Sequence, residues 1–348
     1  MTDPTTDPTQ FTRFDPRRWQ PLFAELMPGF LLCLVVGMAA KFVSEHYGGP
    51  TILYALLMGM SLNYLSEEGR CMAGIQFAAK SILRFGIALL GARITFEQLM
   101  GLGFTPITIV LVGVPATIFF GVLCGRWLGL SRNQSILSGA SVGICGASAA
   151  LAVSAVLPQD KESEKNLIFT VIGVTALSTV AMIAYPLVVT GLNLNADESG
   201  IFLGATIHDV AQVVGAGYMM SDEIGDVATF TKLLRVAALV PVVVIISLLV
   251  ARGAKTAGSG GASSLPLPGF LIAFVVIVTL NSTLPVPEMV TQGMNELSRW
   301  CLIIAMVGLG MKASFKELAT MGWTPIILLV AETVFLAALV ALWLYCVR

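Results

Sequence analysis

Apolar residues occupy this chain in long blocks without period-two alternation, separated by short polar turns. Such blocks satisfy their own backbone hydrogen bonds in lipid only as helices, and the missing alternation argues against a membrane barrel. Eleven blocks are legible, at about 25–45, 51–66, 74–92, 104–128, 135–157, 164–191, 199–219, 229–251, 268–285, 294–311 and 323–347. The expectation is therefore an all-α polytopic membrane protein with about eleven transmembrane helices. The block at 51–66 is short enough to be tilted or re-entrant. The fifth and seventh blocks carry internal glycine and polar residues and read as broken helices. Residues 1–24 form a polar, proline-dotted tail. Its Arg17-Arg18 pair precedes too long an apolar run for a cleavable export signal. Residues 25–348 form one transmembrane unit, interrupted at 253–265 by a glycine/serine linker.

Composition supports this class and removes others. Of 348 residues, 56% are hydrophobic and 12% charged, against about 25% charged in ordinary soluble domains. A net charge of −1 offers no basic surface for nucleic acid. The six cysteines are scattered, without metal-ligand spacing,. No nucleophile triad, cofactor motif or nucleotide-binding loop is visible, so an enzyme is not expected. Alternating the eleven blocks from a cytoplasmic N-terminus places Arg70, Arg126, Arg132, Arg252 and Lys312 inside. The mixed loop Asp160–Lys165 and the acidic Asp222, Glu223 and Asp226 then lie outside, with the C-terminus.

The chain also repeats itself. Residues 80–107 align without gaps to 299–326 at nine identities in 28 positions, including Gly91/Gly310, Phe96/Phe315, Leu99/Leu318 and Thr105-Pro106-Ile107/Thr324-Pro325-Ile326. Lys80 meets Arg299 and Arg93 meets Lys312. In the alternating scheme the two copies run oppositely, as in secondary transporters built from inverted repeats. A weaker echo, Gly139-Ala-Ser-Val against Gly204-Ala-Thr-Ile, runs in the same direction in that scheme and is not explained by it.

Three polar groups interrupt the apolar blocks. Ser138–Ser148 gathers glycines and hydroxyls dense enough to unwind a helix and expose amide donors to an anion; small-residue packing is the alternative. Ser141, Gly143, Cys145, Gly146 and Ser148 are the candidate substrate contacts there. Gly121, Gly125 and Gly129 read as packing only. His208, Asp209 and Gln212 stand inside an apolar span, where an ionisable group costs at least about 2.5 kcal/mol and marks a functional position. Gln212 is assigned to the substrate, while His208 and Asp209 are assigned to coupling. Arg84, four residues after Lys80, supplies charge to an anion or bonds Asp209 or Glu332. Glu332, alone in the last block, is a counter-ion or a coupling residue.

Through Lys80–Ile87, Leu89–Arg93, Ile144–Ala147 and Ile207–Val214 the chain resembles the YeiH-type, UPF0324-like bacterial inner-membrane proteins named for sulfate export. The resemblance spans roughly 25–347. It implies kinship with bile-acid, citrate and sodium/proton carriers, with inverted five-helix repeats plus an extra helix. The expected function is thus secondary transport, in the exporting direction, of a small inorganic or sulfonated anion such as sulfate or sulfite. The alternative is a proton- or sodium-coupled organic-acid carrier or a cation/proton antiporter. No cofactor is expected beyond H+ or Na+ as coupling ion. The partners are the anion and the bilayer, and the arrangement admits a homodimer.

Overall fold

The computed structural model describes residues 19–159, 161–253, 269–284, 286–313 and 323–347. All regular structure among them is helical. The chain opens with α1 (Trp19–Tyr47), α2 (Thr51–Ser61), α3 (Tyr64–Glu67) and α4 (Met72–Phe77), which passes through a π-helical turn (Ala78–Ile82) into α5 (Leu83–Leu89). After α6 (Phe96–Gly101) follow α7 (Thr105–Trp127), α8 (Arg132–Gly143), α9 (Ala147–Ser154) and α10 (Ser163–Gly191). Then come α11 (Ala196–Thr206), α12 (Val210–Met220), α13 (Asp222–Ala237), α14 (Leu239–Gly253), α15 (Gly269–Thr283), α16 (Glu288–Lys312) and α17 (Trp323–Val347). Six of these stretches are long and apolar enough to cross a membrane by length and composition: Ala24–Tyr47, Met72–Ala92, Thr105–Trp127, Ser163–Gly191, Asp222–Val250 and Trp323–Val347. The 1–18 tail, the linker beyond Gly253 and the repeat positions Phe315, Leu318 and Gly322 lie outside the described residues.

The fifth and seventh blocks do not run through as spans. Each is a helical hairpin. In the first, the Asn133 amide at the start of α8 donates to the Pro158 carbonyl beyond α9 at 3.3 Å, so the segment leaves where it entered. In the second, Gly204 of α11 and Gly217 of α12 both pack on Ala228 of α13, which places the two arms side by side. The arms of 12, 8, 11 and 11 residues reach about 12–18 Å at 1.5 Å per residue, roughly half of a ~30 Å hydrocarbon layer. The alternation over eleven crossings is corrected accordingly. The first hairpin opens at the face where α10 begins, here the proximal face, and the second at the distal face where α10 ends. The loop containing Lys161–Lys165 therefore lies on the same face as Arg126 and Arg132, not opposite them.

Local chemistry explains the turns. Ser131 caps α8 by accepting from the Gln134 amide, and Asn195 and Glu198 form a reciprocal capping box on α11,. At the first tip Gly146 holds φ +65°, a conformation a β-carbon disfavours, and its amide closes on the Ser141 carbonyl at 2.8 Å. At the second, Ile207 turns extended, and Asp209 caps α12 through the Ala211 amide.

Inverting the entry face also resolves the sequence echo. Gly139–Val142 and Gly204–Ile207 both lie on the first arm of a hairpin, and the hairpins enter from opposite faces, so α8 and α11 run in opposite senses. Elsewhere α5 and α16, parts of the 28-residue repeat, lie antiparallel: Ser298 Oγ donates to the Gly86 carbonyl at 2.7 Å, while Gly308 backs onto Ile75 and Ala79.

Glycine permits the closest approaches. Gly121 of α7 abuts Gly139 of α8, and Gly125 abuts Ser135, the packing role expected for that stripe. Gly129 instead ends α7 with φ +74°,.

Candidate functional site

The two hairpin tips meet halfway along α10. Val174 packs on Gly146, and one turn on, Ser178 Oγ accepts the Asp209 amide at 3.0 Å. Gly146 itself lies against His208. Between the tips run the side chains of Lys232 and Arg235 from α13, fully buried. The Lys232 ammonium donates to the Ile144 carbonyl at 2.9 Å and the Ile207 carbonyl at 2.8 Å, one from each tip. The Arg235 guanidinium donates to Val142 (2.7 Å) and Gly143 (3.0 Å) on the first hairpin and to Gly204 (3.3 Å), Ala205 (2.6 Å) and Ile207 (3.2 Å) on the second.

Every one of these acceptors is a carbonyl at a half-helix C-terminus. A helix interrupted in mid-protein leaves such carbonyls without partners and carries about half a negative charge there. Two buried cations satisfy both ends at once.

A second set of bonds anchors the tips to α17 through adjacent residues. Glu332, fully buried, accepts from Ser138 Oγ of α8 at 2.5 Å. Thr333 Oγ1 donates to Leu329 O at 2.7 Å and lies 3.0 Å from His208 Nε2. With the only hydroxyl proton committed to Leu329, that network assigns Nε2 as the donor. His208 Nδ1 is buried without a well-formed hydrogen bond, and so are Gln212 Oε1 and Glu332 Oε1.

The candidate residues thus separate. His208, Asp209, Cys145 and Gly146 sit at the tips, and Gln212 lies in the first turn of α12 beside them. Ser148, at the start of α9, has an exposed side chain, and Asp209 is half-buried. Ser141 is buried and spends its hydroxyl on Leu137 O at 2.5 Å, and Gly143 packs on Thr117 and Val114 of α7. Arg84 is exposed, with its guanidinium 6.0 Å from the Phe270 ring centroid. It makes no ion pair with Asp209 or Glu332, although it and Lys232 both act on Asp209 electrostatically. Lys80, in the proximal half of its span, and Lys312, at the end of α16, act on each other, and Lys312 also acts on Asp209.

Lys232 and Arg235 were not singled out from sequence. The apolar block was read from 229, which sets Lys232 near a membrane surface, where a long cation needs no explanation. The helix begins at Asp222, which sets Lys232 ten residues from its start. The readable signal was the serine cap at Ser221 ahead of two acidic residues.

At the distal end, Asp222 bridges Arg93 at 3.0 Å and Arg299 at 3.2 Å, and Arg93 also pairs with Asp226 at 2.8 Å. Arg93, Asp222 and Arg299 border a cavity of about 200 Å³ lined also by Thr51, Tyr218 and Asn295.

Comparison with known sequences bears on all of these elements. Residues 28–329 match the model of a family described as conserved hypothetical protein 698. A UPF0324 membrane protein of Chlorobaculum tepidum is 53% identical over 319 residues, 91% of this chain and 89% of its own. This chain belongs to the UPF0324 membrane protein family. A second member, named TauZ, from Paracoccus denitrificans, is 47% identical over 326 residues, covering 93% of this chain and 96% of the relative. A member from Rhizobium meliloti is likewise 47% identical, over 318 residues. The family model takes in both hairpins and α13 and ends at 329, three residues before Glu332.

Proposed function

We propose that the protein is a secondary carrier of a small inorganic or sulfonated anion, bound where the two hairpin tips meet. Charge at that point carries the reading. The two half-helix C-termini contribute about −0.5 each and the two N-termini about +0.5 each, so they cancel. Lys232 and Arg235 add two positive charges, and an ionised Asp209 removes one; Glu332, bonded to Ser138 back along α8 from the tip, enters the count as the neutral acid. About one positive charge is left over, beside the open Ser148 hydroxyl and the amides at the start of α9. An anion neutralises it. A transported metal cation would face two fixed cations instead, which disfavours the antiporter alternative.

Two further observations support carriage rather than simple binding. Hairpins that enter from opposite faces and an antiparallel α5/α16 pair suit inverted repeats and alternating access. The repeat mates also divide between the ends of the molecule. Arg93 and Arg299 share Asp222 at the distal end. Their mates Lys312 and Lys80 lie in the proximal half, where no ion pair joins either among the described residues. That end is the one rich in Arg70, Arg126, Arg132, Lys161 and Lys165, and we assign it to the cytoplasm. The proximal cations would then receive the anion from inside the cell, with Arg84 further along the path. Asp209 or His208 serves as proton carrier in this scheme, and Glu332 as the second candidate.

The test is radiolabelled flux in proteoliposomes across sulfate, sulfite, thiosulfate and taurine. At least one is expected to move faster than in protein-free vesicles, and Ser148→Leu is expected to slow it. Failure of all four to move would remove the small sulfur-anion reading.

A further inference from the structure

Half-helix C-termini and unwound carbonyls at mid-membrane form the usual setting for a bound monovalent cation in carriers with interrupted helices. In this chain both hairpins contribute to such a setting. The carbonyl ends of α8 and α11 converge, are closed off from solvent, and present Ile144 O and Ile207 O at 2.9 and 2.8 Å to one point. The point is held by the Lys232 ammonium.

We propose that Lys232 is a built-in replacement for a coupling metal cation: its ammonium permanently fills a monovalent-cation cage between the hairpin tips, so the protein binds no sodium or potassium there. Arg235 supports the cage by taking up the neighbouring carbonyls of Val142, Gly143, Gly204 and Ala205. An ammonium group suits the position chemically. It is a compact point charge with rotatable donors, and two acceptors from different hairpins need no planar fork. A tethered cation also cannot dissociate during a cycle, so it fixes the two tips to each other and to α13 whichever face is open. The consequence is specific. Truncating Lys232 while leaving Arg235 in place should expose a site for a free cation of about ammonium size. Sodium, being smaller, fits carbonyls held at this spacing less well than ammonium or potassium.

The experiment follows thermal unfolding of the purified full-length protein in detergent, comparing ammonium, potassium, sodium and N-methylglucamine chlorides at equal ionic strength. This readout does not depend on the transport reading. Wild type is expected to melt at the same temperature in all four. Lys232→Ala is expected to melt lower in N-methylglucamine and sodium and to recover most of the loss in ammonium, with potassium intermediate. A variant that folds only when ammonium is present throughout purification is the same result in stronger form. Two results would overturn the proposal: selective stabilisation of wild type by sodium or potassium, or a Lys232→Ala protein that responds to no cation, including one that folds under none.

Discussion

Buried charge decides the behaviour of single residues here. Arg235 makes five hydrogen bonds to carbonyls, and bonds to a charged group contribute about 1.5–3 kcal/mol each before the cost of burying it. Arg235→Met leaves those carbonyls unpaired and should destabilise the protein by more than about 3 kcal/mol. Arg235→Lys keeps the charge but loses the planar fork, and is expected to fall between wild type and Met in urea unfolding. Glu332 offers a cleaner comparison. Ser138→Ala removes its hydrogen bond and should cost about 1–3 kcal/mol, the penalty for a buried acceptor without a partner. Combining it with Glu332→Leu should cost less than the sum of the two single changes, because no carboxylate is then left unsatisfied. Additive losses would mean that the bond is energetically idle. At this scale the sequence exposes His208, Asp209, Gln212 and Glu332 plainly, since each is polar within an apolar run. Lys232 and Arg235 escape because their depth depends on where a helix starts. Ser141 and Gly143 look like site residues for the reason that fits them for packing: both are small.

Among the elements, the hairpins are the feature that hydropathy could not supply. An apolar block of about 22 residues reads as a crossing whether it continues or folds back on itself. Only the interruption is visible, as glycine and polar residues at 143–146 and at 207–209. The two geometries are experimentally far apart. If residues 133–158 formed one continuous helix, their ends would stand roughly 38 Å apart at 1.5 Å per residue; in the hairpin, the Asn133 side chain contacts Pro158. Asn133→Cys with Pro158→Cys, in a background without the native cysteines, is expected to form an oxidant-dependent disulfide in membranes. A pair that never cross-links would restore the through-span reading. The antiparallel α5/α16 pair and the inversion of α8 against α11 were legible in part. The repeat revealed the first, while the second appeared only as an unexplained four-residue echo.

For the whole molecule, the proposed carrier would show in its ion pairs one state of a cycle. At the distal end Asp222 bridges Arg93 and Arg299, with Asp226 assisting. An exposed pair such as Asp222–Arg299 contributes about 0–1 kcal/mol,, weak enough to open thermally, as a gate in the proposed carrier requires. Asp222→Ala should uncouple the two arginines from each other, leaving Arg93 on Asp226 and Arg299 near Glu296. A cysteine placed at Asn295, which lines the distal cavity, should then react faster with a membrane-impermeant maleimide added from that side. An unchanged rate would show that the cluster does not gate. For the proposed carrier, charge sets the easier direction. With a negative interior, each elementary charge crossing is worth about 2.3 kcal/mol per 100 mV, so a dianion leaving alone gains about 4.6 kcal/mol per 100 mV. Import would need more than two accompanying protons, and the titratable candidates near the path are His208, Asp209 and Glu332. Outward movement of an anion is the easier course.

Labelled-sulfate efflux from proteoliposomes clamped at opposite potentials without a pH gradient addresses anion carriage most directly. Negative-inside potential should accelerate outward sulfate movement, and Arg235→Met should abolish the acceleration. Sulfate efflux that is independent of potential, or no greater than in protein-free vesicles, would contradict electrogenic carriage of a divalent anion by this protein.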